Sequence, residues 1–287
     1  MTCVCITGAS GYLGSFLCPR MAELGYDLIC VDMVPPEEPY GQFRQADFRE
    51  LSKTRSAIEG AEMLVHCASI HPWKRYTDEQ YLDTNVKGTW NILQSASEHE
   101  IDRVILTSSI AASGYSPEPE LRPVDESYKQ QSLGDIYSLT KRFQEQIARH
   151  FCTYKGMKVM SLRPPNFTPK PPLQTGAALL TGCLVVEDVA SAHLKALDAW
   201  ARLENTFEPF FITPTFPYSP EETHQLSSDP KAVLDKHFPG AWDWFEKRGV
   251  TLRPAATLYD SSKAKRILGW QPEHTFARWW EKNREKL

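Results

Sequence analysis

Three glycines in TGASGYLG, namely Gly8, Gly11 and Gly14, constrain this chain more than any other feature. They follow an apolar run, CVCIT, and open YLGSFLCPRMAELG, where apolar residues recur at helical spacing until Gly25 stops them. A strand that turns through glycines into a helix gathers unpaired backbone N–H groups at the positive end of the helix dipole. No side chain there holds an anion away. The spacing is GxxGxxG rather than GxGxxG. It reads as a cradle for the pyrophosphate of a dinucleotide, formed by Gly8, Ser10, Gly11, Tyr12, Leu13 and Gly14.

Strands and helices go on alternating downstream of the cradle. DLICVD, EMLVHCA, RVILTSS and KVMSLRP read as strands, while TNVKGTWNILQSASEHE and IYSLTKRFQEQIARHFCTY read as helices. Strands alternating with helices of this length make βαβ units, and the fold class is α/β: a Rossmann doubly wound parallel sheet with a small C-terminal substrate lobe. Prolines at 164, 165, 169, 171 and 172, and again at 209, 214, 217 and 220, break the rhythm. The expected division is therefore a nucleotide-binding domain over 1–163, to which 185–200 and part of the C-terminal region contribute. Residues 164–287 form mainly the small lobe. The tryptophans at 242, 244, 270, 279 and 280 are expected to pack that lobe.

A net charge of -4 gives no basic footprint for nucleic acid and no cationic face for an anionic membrane. Apolar runs fall short of the roughly 20 residues a spanning helix needs. Met1 leads directly into the first strand without a signal-peptide pattern. Cysteines at 3, 5, 18, 30, 67, 152 and 183 are scattered and odd in number; Cys3 and Cys5 alternate along a strand, which argues for burial rather than metal binding. His71 likewise has no partner pattern for a metal. The expected setting is a reducing one, the cytoplasm.

Asp32 ends the second strand, 24 positions beyond Gly8, where a carboxylate accepts the adenosine ribose hydroxyls and repels a 2′-phosphate. Met33, Val34, Pro35 and Pro36 follow it without an arginine, so NAD is favoured over NADP. Asp47, beside Phe48, is a candidate for the adenine amino group. Tyr137 and Lys141 stand four apart in IYSLTK, on one helix face and roughly 5–6 Å apart at Cβ. An ammonium there is expected to lower the phenol's pKa from about 10, which suits proton exchange with a hydroxyl or carbonyl, and to hold the nicotinamide ribose. Thr107, Ser108 and Ser109 emerge at the carboxyl end of a strand, where a hydroxyl is placed to stabilise a substrate oxygen. Asp188, before an apolar-periodic run, reads as a helix cap.

With these residues assembled, the chain resembles the extended short-chain dehydrogenase/reductases, the NAD-dependent epimerase/dehydratase family, nearly end to end. The likeness rests on TGASGYLG, HCAS (66–69), TNVKGTWNIL, TSSIAASG, YSLTK, LRPPNFTP, VVEDVASAH and SSKAKRILGWQP, in that order. It implies a catalytic set of Ser109, Tyr137 and Lys141. Cys67, Ala68, Ser69 and Thr107 are then implied at the cofactor, with Asn85 in a structural or proton-relay role. Backbone contacts to the nicotinamide carboxamide are implied near Pro164 and Asn166, with Arg163 close by, and a homodimer through the helices containing Asn85 and Tyr137.

Within that family, sugar 4,6-dehydratases place an Asp-Glu pair where this chain has Ile110 and Ala111, which removes the carboxylates for eliminating water. Nucleotide-sugar epimerases carry a long insertion where only Thr168 to Leu184 stands here, so a small substrate without a nucleotide handle is expected. The chain is more similar to uronate dehydrogenases, sharing a short lobe and an SGYSPEPE-like segment. Where those enzymes hold a carboxylate with arginine this chain offers Gln174 or Thr175, and Lys74 and Arg75 in IHPWKRY are alternative cations. His71 and Trp73 suit a sugar face. The expected substrate contacts are therefore His71, Trp73, Lys74, Arg75, Ser109, Ile110, Ala111, Tyr137, Asn166 and Gln174. The expected reaction is hydride transfer between NAD and a small hydroxyl or carbonyl compound, a sugar or sugar acid. An NAD-retaining sugar epimerase and a non-catalytic NAD-binding protein are the other two readings.

Overall fold

The computed structural model describes residues 1–114, 123–128, 134–253 and 257–286. Its strands are β1 (Cys3–Thr7), β2 (Asp27–Asp32), β3 (Gln42–Gln45), β4 (Met63–His66), β5 (Arg103–Thr107), β6 (Lys158–Arg163) and β7 (Phe207–Phe211). The helices are α1 (Tyr12–Glu23), α2 (Leu51–Ile58), α3 (Asp78–Tyr81), α4 (Gly88–Glu98), α5 (Ile136–Lys155), α6 (Pro172–Leu180), α7 (Val186–Leu197), α8 (Pro220–Gln225), α9 (Pro230–His237), α10 (Ala241–Glu246) and α11 (Phe276–Asn283).

The strands form one sheet in the order β3-β2-β1-β4-β5-β6-β7, and every pairing is parallel. Chain order reverses between β1 and β4, the crevice where open α/β sheets bind ligands. The register aligns the carboxyl ends: Thr7 pairs with Val31 and His66, and Thr107 with Leu162. One core joins β1, β4 and β6 to α1 and α7; the other joins the opposite face to α2, α4 and α5. With both faces covered, central strands are apolar at almost every position, which is why they read so clearly in the sequence.

Two strands were not legible. β3 is polar, QFRQ, and lies at one edge. β7 contains Pro209 and lies at the other, where a missing N–H is tolerated because only one neighbour asks for it. The helix expected over TNVKGTWNILQSASEHE is present to Glu98 but starts in a π-helical turn, Leu82–Lys87, that joins α3 to α4 without a break.

A third core holds α6, α9, α10 and α11 around Leu180, Phe245, Phe276 and Trp280, with Trp242, Trp244 and Trp279 packed against it. Trp270 departs from the expected lobe packing. It is buried in the main core, and its Nε1 donates to the Asp188 backbone oxygen at 3.0 Å. Asp188 also departs from expectation. Val185 is the cap position of α7, while the Asp188 carboxylate accepts the backbone N–H groups of Glu273 at 2.9 Å and His274 at 3.0 Å. It fastens the C-terminal segment to the sheet domain. Among the described residues, no helix is long and apolar enough to cross a membrane.

Candidate active site

At the end of β1 the chain turns at Gly8, whose φ of +74° suits glycine and whose N–H donates to the Val31 oxygen at 2.9 Å. A Cβ at Gly8 would lie 2.8 Å from the Ala68 nitrogen, and one at Gly14 would lie 2.3 Å from the Gly8 oxygen. Positions 8 and 14 are thus closed to any side chain. Gly11 gives α1 no side-chain cap, and no acidic residue occupies the first turn of that helix, so its leading N–H groups are left for an anion. The Asp32 carboxylate accepts the backbone N–H of Ser10 at 3.1 Å and of Met33 at 2.7 Å, which fixes it beside the cradle. These groups fit the pyrophosphate and ribose of NAD.

A groove of about 460 Å³ runs from this point along the carboxyl ends of the strands. Among residues expected at the cofactor, it is lined by Gly8, Ser10, Gly11, Tyr12, Leu13, Gly14, Asp32, Phe48, Cys67, Ala68, Ser69, Thr107, Tyr137 and Lys141. Asp47, Asn85, Pro164 and Asn166 do not line it. Arg49 engages both Asp47 oxygens, at 2.9 Å through Nε and 2.6 Å through Nη2. The Asn85 amide is fully used: its oxygen accepts from the Ile70 N–H at 2.8 Å, and its nitrogen donates to the Ile70 oxygen and to Thr140 Oγ1, both at 3.1 Å. Asn85 therefore holds the loop that follows β4. The Pro164 oxygen accepts from Ile110 and the Asn166 oxygen from Leu184, each at 3.1 Å.

Tyr137 lies in the first turn of α5, which is capped by Asp135 accepting from the Ser138 N–H at 2.7 Å. Its ring is buried edge-on against His71, 4.7 Å between centroids. One turn later the buried Lys141 Nζ donates to the Thr107 oxygen at 3.0 Å and stands 5.7 Å from the Tyr137 ring centroid. Ser109 caps the 3-10 turn Ile110–Ser113, accepting from the Ala111 N–H at 3.2 Å, and its hydroxyl hydrogen-bonds the Tyr137 phenol.

The electrostatics differ from the expectation of a phenol lowered by its ammonium. Burial drives the Tyr137 phenol upward, and the hydrogen bond from Ser109 only partly opposes this. Burial also lowers Lys141, to about 8. In this pocket the two groups are desolvated together, and the ammonium is directed at a backbone carbonyl rather than at the phenol oxygen.

Of the expected substrate contacts, His71, Trp73, Lys74 and Tyr137 line the groove; Arg75, Ser109, Ile110, Ala111, Asn166 and Gln174 do not, Ser109 reaching the site through Tyr137. Burial holds His71 neutral, at about 4. Thr175 instead faces a smaller cavity of about 260 Å³ with Lys170, next to Tyr12 and Phe167. Arg163 is not beside the groove; it is buried in an ion pair with Glu145, 2.6 Å at the closest atoms. Residues 115–120 of the SGYSPEPE segment lie outside the described residues. The groove also takes in Ser108, one of the three hydroxyls expected at the end of β5, and Met33, Val34, Ile70, Tyr76, Thr84 and Phe167, which the sequence reading missed. Met33, Val34 and Phe167 adjoin expected residues and were within reach of it; Tyr76 and Thr84 carry no local signal.

The parallel sheet, its glycine cradle with an acidic residue at the end of β2, and the Tyr137–Lys141 pair at the sheet's carboxyl edge together define a dinucleotide-dependent enzyme of the short-chain dehydrogenase/reductase type. The comparisons with known proteins agree. Residues 4–173 match the NAD dependent epimerase/dehydratase family, and the chain belongs to it. It is therefore an NAD(P)-dependent enzyme of that family, with NAD as cofactor. A UDP-glucose 4-epimerase of Rhizobium meliloti is 29% identical over 56% of this chain, a match that spans half of that protein. A putative UDP-glucose 4-epimerase of Methanocaldococcus jannaschii is 28% identical over 94% of this chain and 93% of that one. The crystal structure of uronate dehydrogenase from Agrobacterium tumefaciens shares the fold, with a TM-score of 0.72 at 20% identity, over 100% of this chain and 90% of that one.

Proposed function

We propose that the protein oxidises or reduces a small sugar or sugar acid that has no nucleotide handle, with Ser109, Tyr137 and Lys141 as its catalytic residues. The placing of a buried phenol and the Lys141 ammonium in the wall of the groove, with Ser109 acting on that phenol from behind it, carries this reading. Gly8, Gly11, Gly14 and Asp32 would hold NAD, which would supply a hydride acceptor for oxidation of the substrate or, in reduced form, a hydride donor for the reverse. In oxidation, Tyr137 removes the hydroxyl proton as the C–H bonding pair leaves with the hydride and the C–O bond becomes C=O. Ser109 holds the substrate oxygen, and its hydrogen bond favours the phenolate this requires against the burial that opposes it, while Lys141 is placed for the nicotinamide ribose.

Two features support the substrate class. The segment from Thr168 to Leu184 contains α6 and little else, too short a span to clamp a nucleotide. Lys74 supplies a cation at the groove beside His71 and Trp73, suited to a carboxylate and a sugar face. The likeness to a uronate dehydrogenase fold is in keeping with this, whereas the relatives named as epimerases favour the second reading, an NAD-retaining sugar epimerase. Absorbance at 340 nm, followed with sugar acids, aldoses and simple alcohols, separates the readings. The expected result is net NADH formation with a sugar or sugar acid, faster with NAD than with NADP. Isomerisation without net NADH would establish the epimerase, and NAD binding without turnover of any substrate a non-catalytic protein.

The same reading places the cofactor in the unit formed by 1–163 with 185–200 and part of the C-terminal region, and the substrate against the lobe of 164–287. It also takes the protein to be a homodimer through α4 and α5. Phe143, Ile147, His150 and Tyr154 recur at one-face spacing on α5, and Trp90 of α4 meets His150 at 5.7 Å. Trp90 is 42% exposed and Tyr154 72%, unusual for large rings left in water. Light scattering on size-exclusion fractions is expected to give a dimer for the parent chain and a monomer for Trp90→Glu/Phe143→Glu. A monomeric parent at micromolar concentration would refute the interface. The seven cysteines, all free thiols, support a reducing, cytoplasmic setting.

A further inference from the structure

Directly behind the site lies a buried charged cluster that the proposed chemistry does not use. Glu145 stands on α5 one turn beyond Lys141, only 3% exposed. Its Oε1 accepts from Ser108 Oγ at 2.8 Å, Ser161 Oγ at 2.9 Å and Arg163 Nε at 2.8 Å, and its Oε2 accepts from Arg163 Nη2 at 2.6 Å. Arg163, equally buried, donates through Nη1 to Ser113 Oγ at 3.2 Å. Ser108 immediately precedes Ser109, and Ser113 ends the 3-10 turn that Ser109 caps. The backbone adds two further ties, from the Ser108 N–H to the Leu162 oxygen at 2.8 Å and from the Ile110 N–H to the Pro164 oxygen at 3.1 Å.

We propose that Glu145 is a positioning residue: its carboxylate, with Arg163, clamps both ends of the segment carrying Ser109 and supplies the negative charge that keeps the Lys141 ammonium in place beside Tyr137. The inference rests on reading Ser109, Tyr137 and Lys141 as the reacting set. A clamp built only for stability would need neither the position one turn from Lys141 nor the grip on Ser108 and Ser113.

The charges around Lys141 support the second half. Besides Glu145 and Tyr137 on its own helix, the titratable groups acting with it are Cys67 and His66 at the end of β4 and His71 on the loop beyond. Burial raises Cys67 to about 11 and lowers His66 to about 3 and His71 to about 4, so all three are uncharged around pH 8, where Lys141 releases its proton. Burial raises the phenol as well. Burial opposes the charge on Glu145, but the hydrogen bonds and charge of Arg163, with those of Ser108 and Ser161, outweigh it and hold the carboxylate ionised. Of these neighbours, Glu145 is therefore the anion present when Lys141 titrates.

The test uses the full chain with Glu145→Gln and the double variant Glu145→Gln/Arg163→Met. The single variant turns an amide N–H₂ toward the Arg163 donors and leaves that cation unpaired, which endangers folding. The double variant removes both charges and is expected to fold. The Lys141 signal, identified by its loss in Lys141→Arg, is titrated by NMR of lysine-labelled protein with NAD absent. In whichever variant folds, the Lys141 midpoint is expected to fall by about one unit. With the substrate found at 340 nm, the alkaline limb of kcat should move down with it while KM for NAD stays unchanged. A Lys141 midpoint unmoved in the folded variants, or a kcat loss equal at every pH, would overturn the proposal. The NMR arm needs no turnover, so failure of the catalytic reading would appear separately as a parent enzyme without activity.

Discussion

Tyr137→Phe is expected to lower kcat by about 10³-fold, within the range by which positioned acid–base groups accelerate reactions, and to leave NAD affinity unchanged. The substitution removes one oxygen and keeps the ring, which packs against His71 at 4.7 Å and Tyr81 at 6.5 Å, so the shape of the groove is preserved. What disappears is the proton carrier and the acceptor for the Ser109 hydrogen bond. Burial keeps the phenol protonated through the neutral range, so oxidation by the parent enzyme should quicken as pH rises and more phenolate forms, up to the point where Lys141 loses its proton near 8. The variant should lose the rising limb along with the rate. Steady-state kinetics across pH, paired with fluorescence titration of NAD, check both halves. A phenylalanine variant that binds NAD and turns over at the parental rate would remove Tyr137 from the mechanism.

How far the sequence revealed this arrangement depended on how local the determining physics was. β1, β2, β4, β5 and β6 were legible because helices cover both faces of the sheet and force continuous apolar runs. β3 and β7, at the edges, need no such run, and Pro209 disguised the second of them. The Tyr137–Lys141 pairing followed from helical periodicity alone. Other side chains are claimed by a distant part of the chain. Asn85 is occupied by Ile70 and Thr140, which agrees with a structural role and leaves the amide off the groove. Asp188 is taken by Glu273 and His274 and Arg163 by Glu145, against the roles expected of them. Each partner is at least 15 positions away, with no periodic signal connecting the two. The direction of the Tyr137 shift was misjudged for a related reason: spacing along a helix reports the nearness of an ammonium and says nothing about desolvation, which here dominates.

The glycine cradle offers the other large effect. Gly14→Ala adds a single methyl group, yet its Cβ would lie 2.3 Å from the Gly8 oxygen and 2.5 Å from the Ala9 oxygen, both backbone atoms of the turn. Neither oxygen is free to retreat. The Gly8 carbonyl accepts from the Gly11 N–H at 3.0 Å, and the turn is tied to β2 through the Gly8 N–H and the Val31 oxygen at 2.9 Å. Relief must come from moving the start of α1 away from β1, which misaligns the N–H groups that face the pyrophosphate and loosens the approach of Gly8 to Ala68. Overpacking of this kind costs about 1–3 kcal/mol of stability. Its effect on NAD should be larger in proportion, about 100-fold or more in Kd, since about 2.7 kcal/mol of lost phosphate contact suffices for that. Catalysis at saturating NAD should suffer less, because Tyr137 and Lys141 are carried on α5, on the far side of the sheet from α1. Calorimetric titration with NAD and urea denaturation of parent and variant measure the two terms. If Gly14→Ala keeps parental NAD affinity, the close approach at residues 8–14 has no part in holding the cofactor, and the dinucleotide would have to be held elsewhere along the groove.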